Sequence, residues 1–158
     1  MISHQPANYQ CPFCYILTQT ASDSEAAVKH CIVYRSETVT GLVPLHYFSD
    51  IQGNVILITN RHYENIYDID HTIGNDMLFA TKVIAGAMKK AFRCEGISTR
   101  QHNEPAGNQD VWHYHLHIFP RFINDGLYRG EKKLYVQDDR RRYSEILRDI
   151  IGSCGKDA

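Results

Sequence analysis

The chain has 158 residues, 43% of them hydrophobic and 22% charged, with a formal net charge of −1. That composition is of the ordinary soluble globular kind, long enough for one domain over 1–158 with a real core. Near-neutral charge gives no field for nucleic acid or an anionic membrane; no apolar run nears transmembrane length and no leader pattern opens the chain, so the expected location is cytoplasmic.

Residues Met1 to Gln10 are polar and patternless and read as a loose arm. Cys11-Pro12-Phe13-Cys14 follows, with Cys31, Cys94 and Cys154 further on. An odd number of cysteines argues against a disulfide framework. The C-x-x-C spacing can put two thiolates on one metal, and two buried inert thiols fit as well. A redox pair fits less, because no thioredoxin-like βαβ context surrounds it. Thr18 to Ala27 reads as a loop or ragged helix.

Cys31-Ile32-Val33-Tyr34 has strand character, and Thr38 to Leu45 is a second strand whose Gly41 and Pro44 point to a bulge or an edge. Gly53-Asn54 makes a turn into Val55-Ile56-Leu57-Ile58-Thr59, the clearest buried strand of the first half. His62 lies just past its end. Asp70 caps a helix from His71 to Arg93, on which Ile73, Met77, Ala80, Ile84, Met88 and Ala91 recur at three and four residues as a core-facing stripe. Lys89, Lys90 and Arg93 suit its negative end, and Gly96 is the expected stop. Ile97 to Gln101 reads as a strand. A turn-rich loop, Asn103-Glu104-Pro105-Ala106-Gly107-Asn108, leads onward.

In His113-Tyr114-His115-Leu116-His117-Ile118-Phe119, histidines alternate with bulky apolar residues. Period two is strand spacing, so Trp112, Tyr114, Leu116 and Ile118 share the core face and the imidazoles line the opposite, open face. Pro120 limits how far this strand joins a ladder. Beyond Arg121 come a turn at Asn124-Asp125-Gly126, a short strand at Leu134-Tyr135-Val136 and a helix from Asp139 to Ile151. Arg140, Arg141 and Arg142 read as a solvated helix start, with a phosphate-facing role as the alternative.

A row of histidines fits three chemistries: a metal site with open water, a nucleophilic imidazole flanked by anion-binding neighbours, or anion binding alone. Gly107, Asn108 and Gln109 place backbone and amide donors beside the imidazoles, and such donors suit phosphate oxygens.

The run Gln109-x-Val111-x-His113-x-His115-x-His117, followed by two apolar residues and Pro120-Arg121, resembles the signature of the histidine-triad (HIT) family of nucleotide hydrolases and transferases. The loop from Asn103 to Gln109 and the strand ending in Arg61-His62 are similar to features of the family, and the Cys11-x-x-Cys14 pair resembles that of its zinc-bearing bacterial members. The resemblance spans Cys11 to Arg121, with the signature at 103–121; for the extension 122–158 no counterpart is apparent.

The resemblance implies an α+β fold, with a mainly antiparallel sheet of about five strands packed with one long helix and a C-terminal helix, in a homodimer. It makes His115 the nucleophile that attacks the α-phosphorus of a nucleoside phosphoramidate or dinucleoside polyphosphate, forming a nucleotidyl-histidine. His117 and Gln109 then hold phosphate oxygens, and Asn103 joins them in binding substrate. Cys11, Cys14, His62 and His113 become ligands of a structural Zn2+. Asp110 departs from the family pattern, which often has a hydroxyl residue there; its carboxylate either points away or changes the leaving group accepted. The competing reading is a nucleotide-binding or interaction module with little turnover.

Overall fold

The computed structural model describes residues 2–21 and 30–154. In chain order the elements are α1 (Pro12–Ala21), β1 (Ile32–Arg35), β2 (Val39–Leu42), β3 (His46–Phe48), β4 (Val55–Thr59), α2 (His71–Phe92), β5 (Gly96–Gln101), β6 (His115–Arg121), β7 (Lys132–Leu134) and α3 (Gln137–Cys154). The fold is α+β, as expected. A five-stranded antiparallel sheet runs β1-β2-β4-β6-β5, and β3 pairs with β7 in a separate ribbon. No helix among the described residues is long and apolar enough to cross a membrane.

Helix α2 covers one face of the sheet. Its stripe buries Met77, Ala80, Ile84 and Met88 against Val55, Leu57, Tyr114 and Ile118. Asp70 starts the helix by accepting from the N–H groups of Thr72 at 2.9 Å and Ile73 at 3.0 Å, two donors with no partner inside the helix. The helix stops before Gly96: Arg93, at φ 51°, takes the left-handed cap position, and Gly96 is the first residue of β5. Gly41 is not at an edge either. Strand β2 lies between β1 and β4, and a Cβ on Gly41 would come within 2.9 Å of Ile84 Cδ1. The glycine serves close helix–sheet packing, while the register shift falls in β1, between Ile32 and Tyr34.

Helix α1 covers part of the opposite face. Pro12 suits the first helical position, and Phe13 and Leu17, one turn apart, bury against Leu42, Ile56 and Ile58. The expected ragged stretch is therefore regular helix up to Ala21, and residues 22–27 of it lie outside the described residues. The arm before α1 is not loose. The Glu64 side chain, 7% exposed, accepts from the Ser3 hydroxyl and the His4 N–H, and Tyr9 Oη accepts from Trp112 N–H at 3.1 Å. A buried carboxylate needs such partners, and the arm supplies them.

The segment after Arg121 is integral to the sheet region. Strand β7, slightly earlier than Leu134–Val136, pairs with β3 in the register His46↔Leu134 and Phe48↔Lys132. Tyr135 Oη donates to Asn54 Oδ1 at 2.9 Å and accepts from Gly53 N–H at 2.7 Å. Gly53 has φ +84°, and a Cβ there would sit 2.6 Å from the Phe92 ring. Through Leu147 and Tyr143, α3 joins the core shared with α2.

Candidate active site and metal cluster

Strand β6 pairs with β4 on one side, Ile58↔His115 and Ile56↔His117, and with β5 on the other, Arg100↔His117. The ladder to β4 ends at Ile118 while the ladder to β5 continues through Pro120 to Arg121, so the proline falls where only one neighbour remains. The face carrying the histidines is not open. His113 is 0% and His115 2% exposed, because α1 lies across that face and Phe13 meets both rings edge-on, at 5.7 and 5.3 Å between centroids.

The histidines divide between two sites. His113 Nε2 lies 2.9 Å from the Thr59 carbonyl. A carbonyl only accepts, so Nε2 carries the proton and Nδ1 keeps its lone pair. Nδ1 faces Cys11 Sγ at 3.3 Å and Cys14 Sγ at 3.6 Å. His62 Nδ1 is 3.3 Å from Cys14 Sγ, and its Nε2 is held by Gln5 Oε1 at 3.1 Å. The four ligand atoms all lie within 4.8 Å of one another. Metal–sulfur bonds of about 2.3 Å and metal–nitrogen bonds of about 2.0–2.1 Å at tetrahedral angles give S···N edges of about 3.6 Å, so the donor set fits a closed tetrahedral ion. Each imidazole's second nitrogen is already tied to an oxygen, as ligating histidines require. Burial, then the neighbouring Cys11, pushes the Cys14 thiol up to about 11; burial pushes His113 down to about 4.

His115 and His117 face a cavity of about 510 Å³. His115 Nδ1 lies 2.8 Å from the His113 carbonyl, so Nδ1 donates and Nε2 is the basic nitrogen. Burial holds its pKa below the ordinary value, against the opposing pull of that carbonyl bond and of Asp110. His117 stacks on Phe119 at 5.7 Å and 8°, its Nδ1 buried without a hydrogen-bond partner. Burial and the cationic groups around it push it to about 3. Among the residues lining it are the apolar side chains of Phe13 and Ile16 of α1, Leu42 of β2 and Ile56 of β4. The lining also carries His46, Arg100, His102, Asp110, Lys132 and Arg140. A cavity with both kinds of lining suits a ligand that joins an apolar group to an anion.

Gln109 and Asn103 do not line the cavity. Gln109 is 6% exposed; its Nε2 donates to the carbonyls of Glu64 at 2.6 Å and Val111 at 3.1 Å, and its Oε1 accepts from Glu104 N–H at 2.8 Å. Asn103 Oδ1 accepts from Ile66 N–H at 2.8 Å, and its Nδ2 donates to Gln101 Oε1 at 2.7 Å. Both amides hold the loop that brings Asn108 and Asp110 to the cavity.

A family model described as HIT domain matches residues 25–124. The chain belongs to the HIT domain family. It is 30% identical over 146 residues to Protein hit of Bacillus subtilis, with 92% of each chain covered. That coverage runs well past Arg121, so the C-terminal segment does have a counterpart in the relative. A Zn-bound histidine triad family protein from Mycobacterium smegmatis shares the fold at TM-score 0.75 and 22% identity, over 94% of this chain and 98% of that one. The diadenosine triphosphate hydrolase of Plasmodium falciparum, solved in complex with Cyclomarin A, aligns at TM-score 0.68 and 19% identity, over 79% of this chain and 78% of that one.

Within this HIT chain the fold joins Cys11, Cys14, His62 and His113 in one cluster and His115 with His117 in the neighbouring cavity. The sequence reading missed Arg100 and Lys132. Arg100 had a legible signal, since antiparallel pairing sets β5 residues opposite the triad; its guanidinium lies over the rings of Phe48 at 4.8 Å and Phe119 at 5.2 Å. Lys132 had none, being brought in by the β3–β7 ribbon. Of the basic cluster, Arg141 and Arg142 make exposed pairs along α3, whereas Arg140 donates to the Val43 carbonyl at 2.9 Å and lines the cavity.

Proposed function

We propose that this protein is a nucleotide-binding hydrolase or nucleotidyltransferase that works at the α-phosphate of nucleoside phosphoramidates or dinucleoside polyphosphates. The observation that carries the reading is the bond from His115 Nδ1–H to the His113 carbonyl at 2.8 Å. It leaves Nε2 with its lone pair on the cavity side of a ring whose pKa burial keeps low. Such an imidazole is unprotonated and nucleophilic at neutral pH.

In this reading the apolar side chains of the cavity take the nucleoside and the basic ones take the phosphates. His115 Nε2 attacks phosphorus, the leaving group departs, and water or another acceptor resolves the nucleotidyl-histidine. His117 contacts the phosphate oxygens. Gln109 and Asn103 act through the loop they hold. Cys11, Cys14, His62 and His113 bind a structural Zn2+ that pins α1 to the start of the catalytic strand; four protein ligands leave it no open position for chemistry. The Zn-bound M. smegmatis histidine triad protein and the P. falciparum diadenosine triphosphate hydrolase, which share this fold, support these assignments. Homodimerisation belongs to the same proposal, with Leu78 and Phe79, 71% and 59% exposed on α2, as apolar surface for a second copy.

The test is incubation with a fluorogenic adenosine 5′-phosphoramidate and with a diadenosine polyphosphate, followed by quenching without acid and intact-mass measurement. Turnover of either substrate with nucleotide trapped on His115 supports the reading. Nucleotide binding without turnover by the native protein leaves a binding module instead.

A further inference from the structure

Asp110 occupies a position that the proposed reaction does not yet use. Its Oδ1 lies 3.9 Å from His115 Nε2, and its Oδ2 lies 3.9 Å from Lys132 Nζ. Both side chains line the cavity with His115. The Asp110 side chain is 67% exposed, while His115 is 2% exposed. The carboxylate therefore stands toward solvent, 3.9 Å from the nitrogen read as the nucleophile. Neither contact is short enough for a hydrogen bond, so the group is placed without being locked, and can move aside as phosphorus bonds to Nε2.

From this geometry we infer that Asp110 is the general base for hydrolysis of the nucleotidyl-His115 intermediate. The inference rests on the nucleophile reading above. In-line attack brings water to phosphorus from the side opposite Nε2, which is the solvent side. A carboxylate that starts 3.9 Å from Nε2 and is displaced sideways by the phosphoryl group comes within reach of that water. The water oxygen forms a bond to phosphorus as its proton passes to the Asp110 carboxylate. The P–Nε2 bond breaks, and its electron pair returns to Nε2 while Nδ1 keeps its proton on the His113 carbonyl. The products are a nucleoside monophosphate and neutral His115, and Asp110 then releases its proton to solvent. A carboxylate beside a phosphate is ordinarily repelled. Here Lys132 and Arg100, in the same cavity, offset that repulsion, and Lys132 positions the carboxylate.

The experiment mixes native protein, Asp110→Asn and Asp110→Ala with adenosine and guanosine 5′-phosphoramidates carrying a fluorescent amine. It follows amine release at millisecond resolution and measures covalent nucleotide by intact mass after quenching in denaturant. The expected result is near-complete accumulation of the adduct in both variants after a burst of one amine per chain. The decay of the adduct is about 100- to 10,000-fold slower than in native protein, the usual range for loss of a general base. Added formate speeds decay in Asp110→Ala, where it fits the vacated space. Adduct that decays in Asp110→Asn at the native rate overturns the assignment. So does a variant that forms no adduct while native protein does, because Asp110 would then belong to the first step. Native protein that releases no amine and forms no adduct counts against the nucleophile reading itself.

Discussion

The Nδ1–H of His115 donates to the backbone carbonyl of His113 at 2.8 Å. Two residues of one histidine row are thereby coupled: the main chain of His113 sets the tautomer of His115, while the side chain of His113 turns away to the thiol cluster. Replacing His115 by Asn is expected to lower turnover by roughly a thousandfold or more, because a covalent step is lost outright. Nucleoside monophosphate binding should persist, measured by calorimetry. His115→Ala is a poorer probe. The ring is buried, and its loss leaves a cavity that costs about 1–3 kcal/mol of stability. A His115→Asn protein that keeps more than about a tenth of native turnover would remove the nucleophile role.

One zinc per chain is expected in protein purified without a histidine tag, by elemental analysis. Cys11→Ser with Cys14→Ser should abolish it and lower the melting temperature. Chelation should do the same in native protein, because metal binding of this kind is folding free energy. Binding must displace a Cys14 thiol proton held at about 11, so affinity falls as the pH is lowered. Metal retained undiminished in the double serine variant would disprove the ligand set.

Stability should depend on pH through His117. Its pKa is about 3 when folded, against about 6.5 in an unfolded chain. Below about 6.5 the unfolded state takes up a proton that the folded state refuses, so the unfolded state gains. Stability is then full above about 6.5 and is lost toward pH 3, by up to about 1.4 kcal/mol per pH unit from this residue. His117→Gln removes this proton uptake. Urea unfolding at pH 7 and pH 5 should show native protein losing about 1–2 kcal/mol more than the variant. Equal losses would contradict the neutral state of the half-buried His117 ring.

Arg121 grips Asp125 with two bonds, Nε to Oδ2 at 2.6 Å and Nη2 to Oδ1 at 2.7 Å. The Asp125 side chain is only 5% exposed, and the guanidinium beside it holds its carboxyl well below the usual carboxylate range. Arg121→Ala leaves a buried charge on two remaining backbone N–H donors, Phe122 and Leu127. The expected cost is about 2–4 kcal/mol in urea unfolding. Arg121→Lys should cost less, because one charged donor remains. A loss below about 0.5 kcal/mol for the alanine variant would place this pair among ordinary surface ion pairs.

Local pattern was enough to read the sheet and the long helix. The apolar run Val55–Thr59 and the three-four stripe from Ile73 to Ala91 carry their own periodicity, and burial follows from it. The alternating histidines at 113, 115 and 117, of which the last two fall in β6, and the Cys11-x-x-Cys14 spacing were likewise visible as chemistry before any fold was known. Only tertiary structure decided which site each histidine serves. Period two puts His113, His115 and His117 on one face, but the Thr59 carbonyl and the thiols at the start of α1 draw His113 to the cluster with Cys11, Cys14 and His62. Distance along the chain hides the rest. Lys132 meets Asp110 because β7 pairs with β3, and Gln109 turns inward because Glu64, 45 residues earlier, offers its carbonyl. Such contacts are made by packing and by the need of buried polar groups for partners, and no local spacing records them.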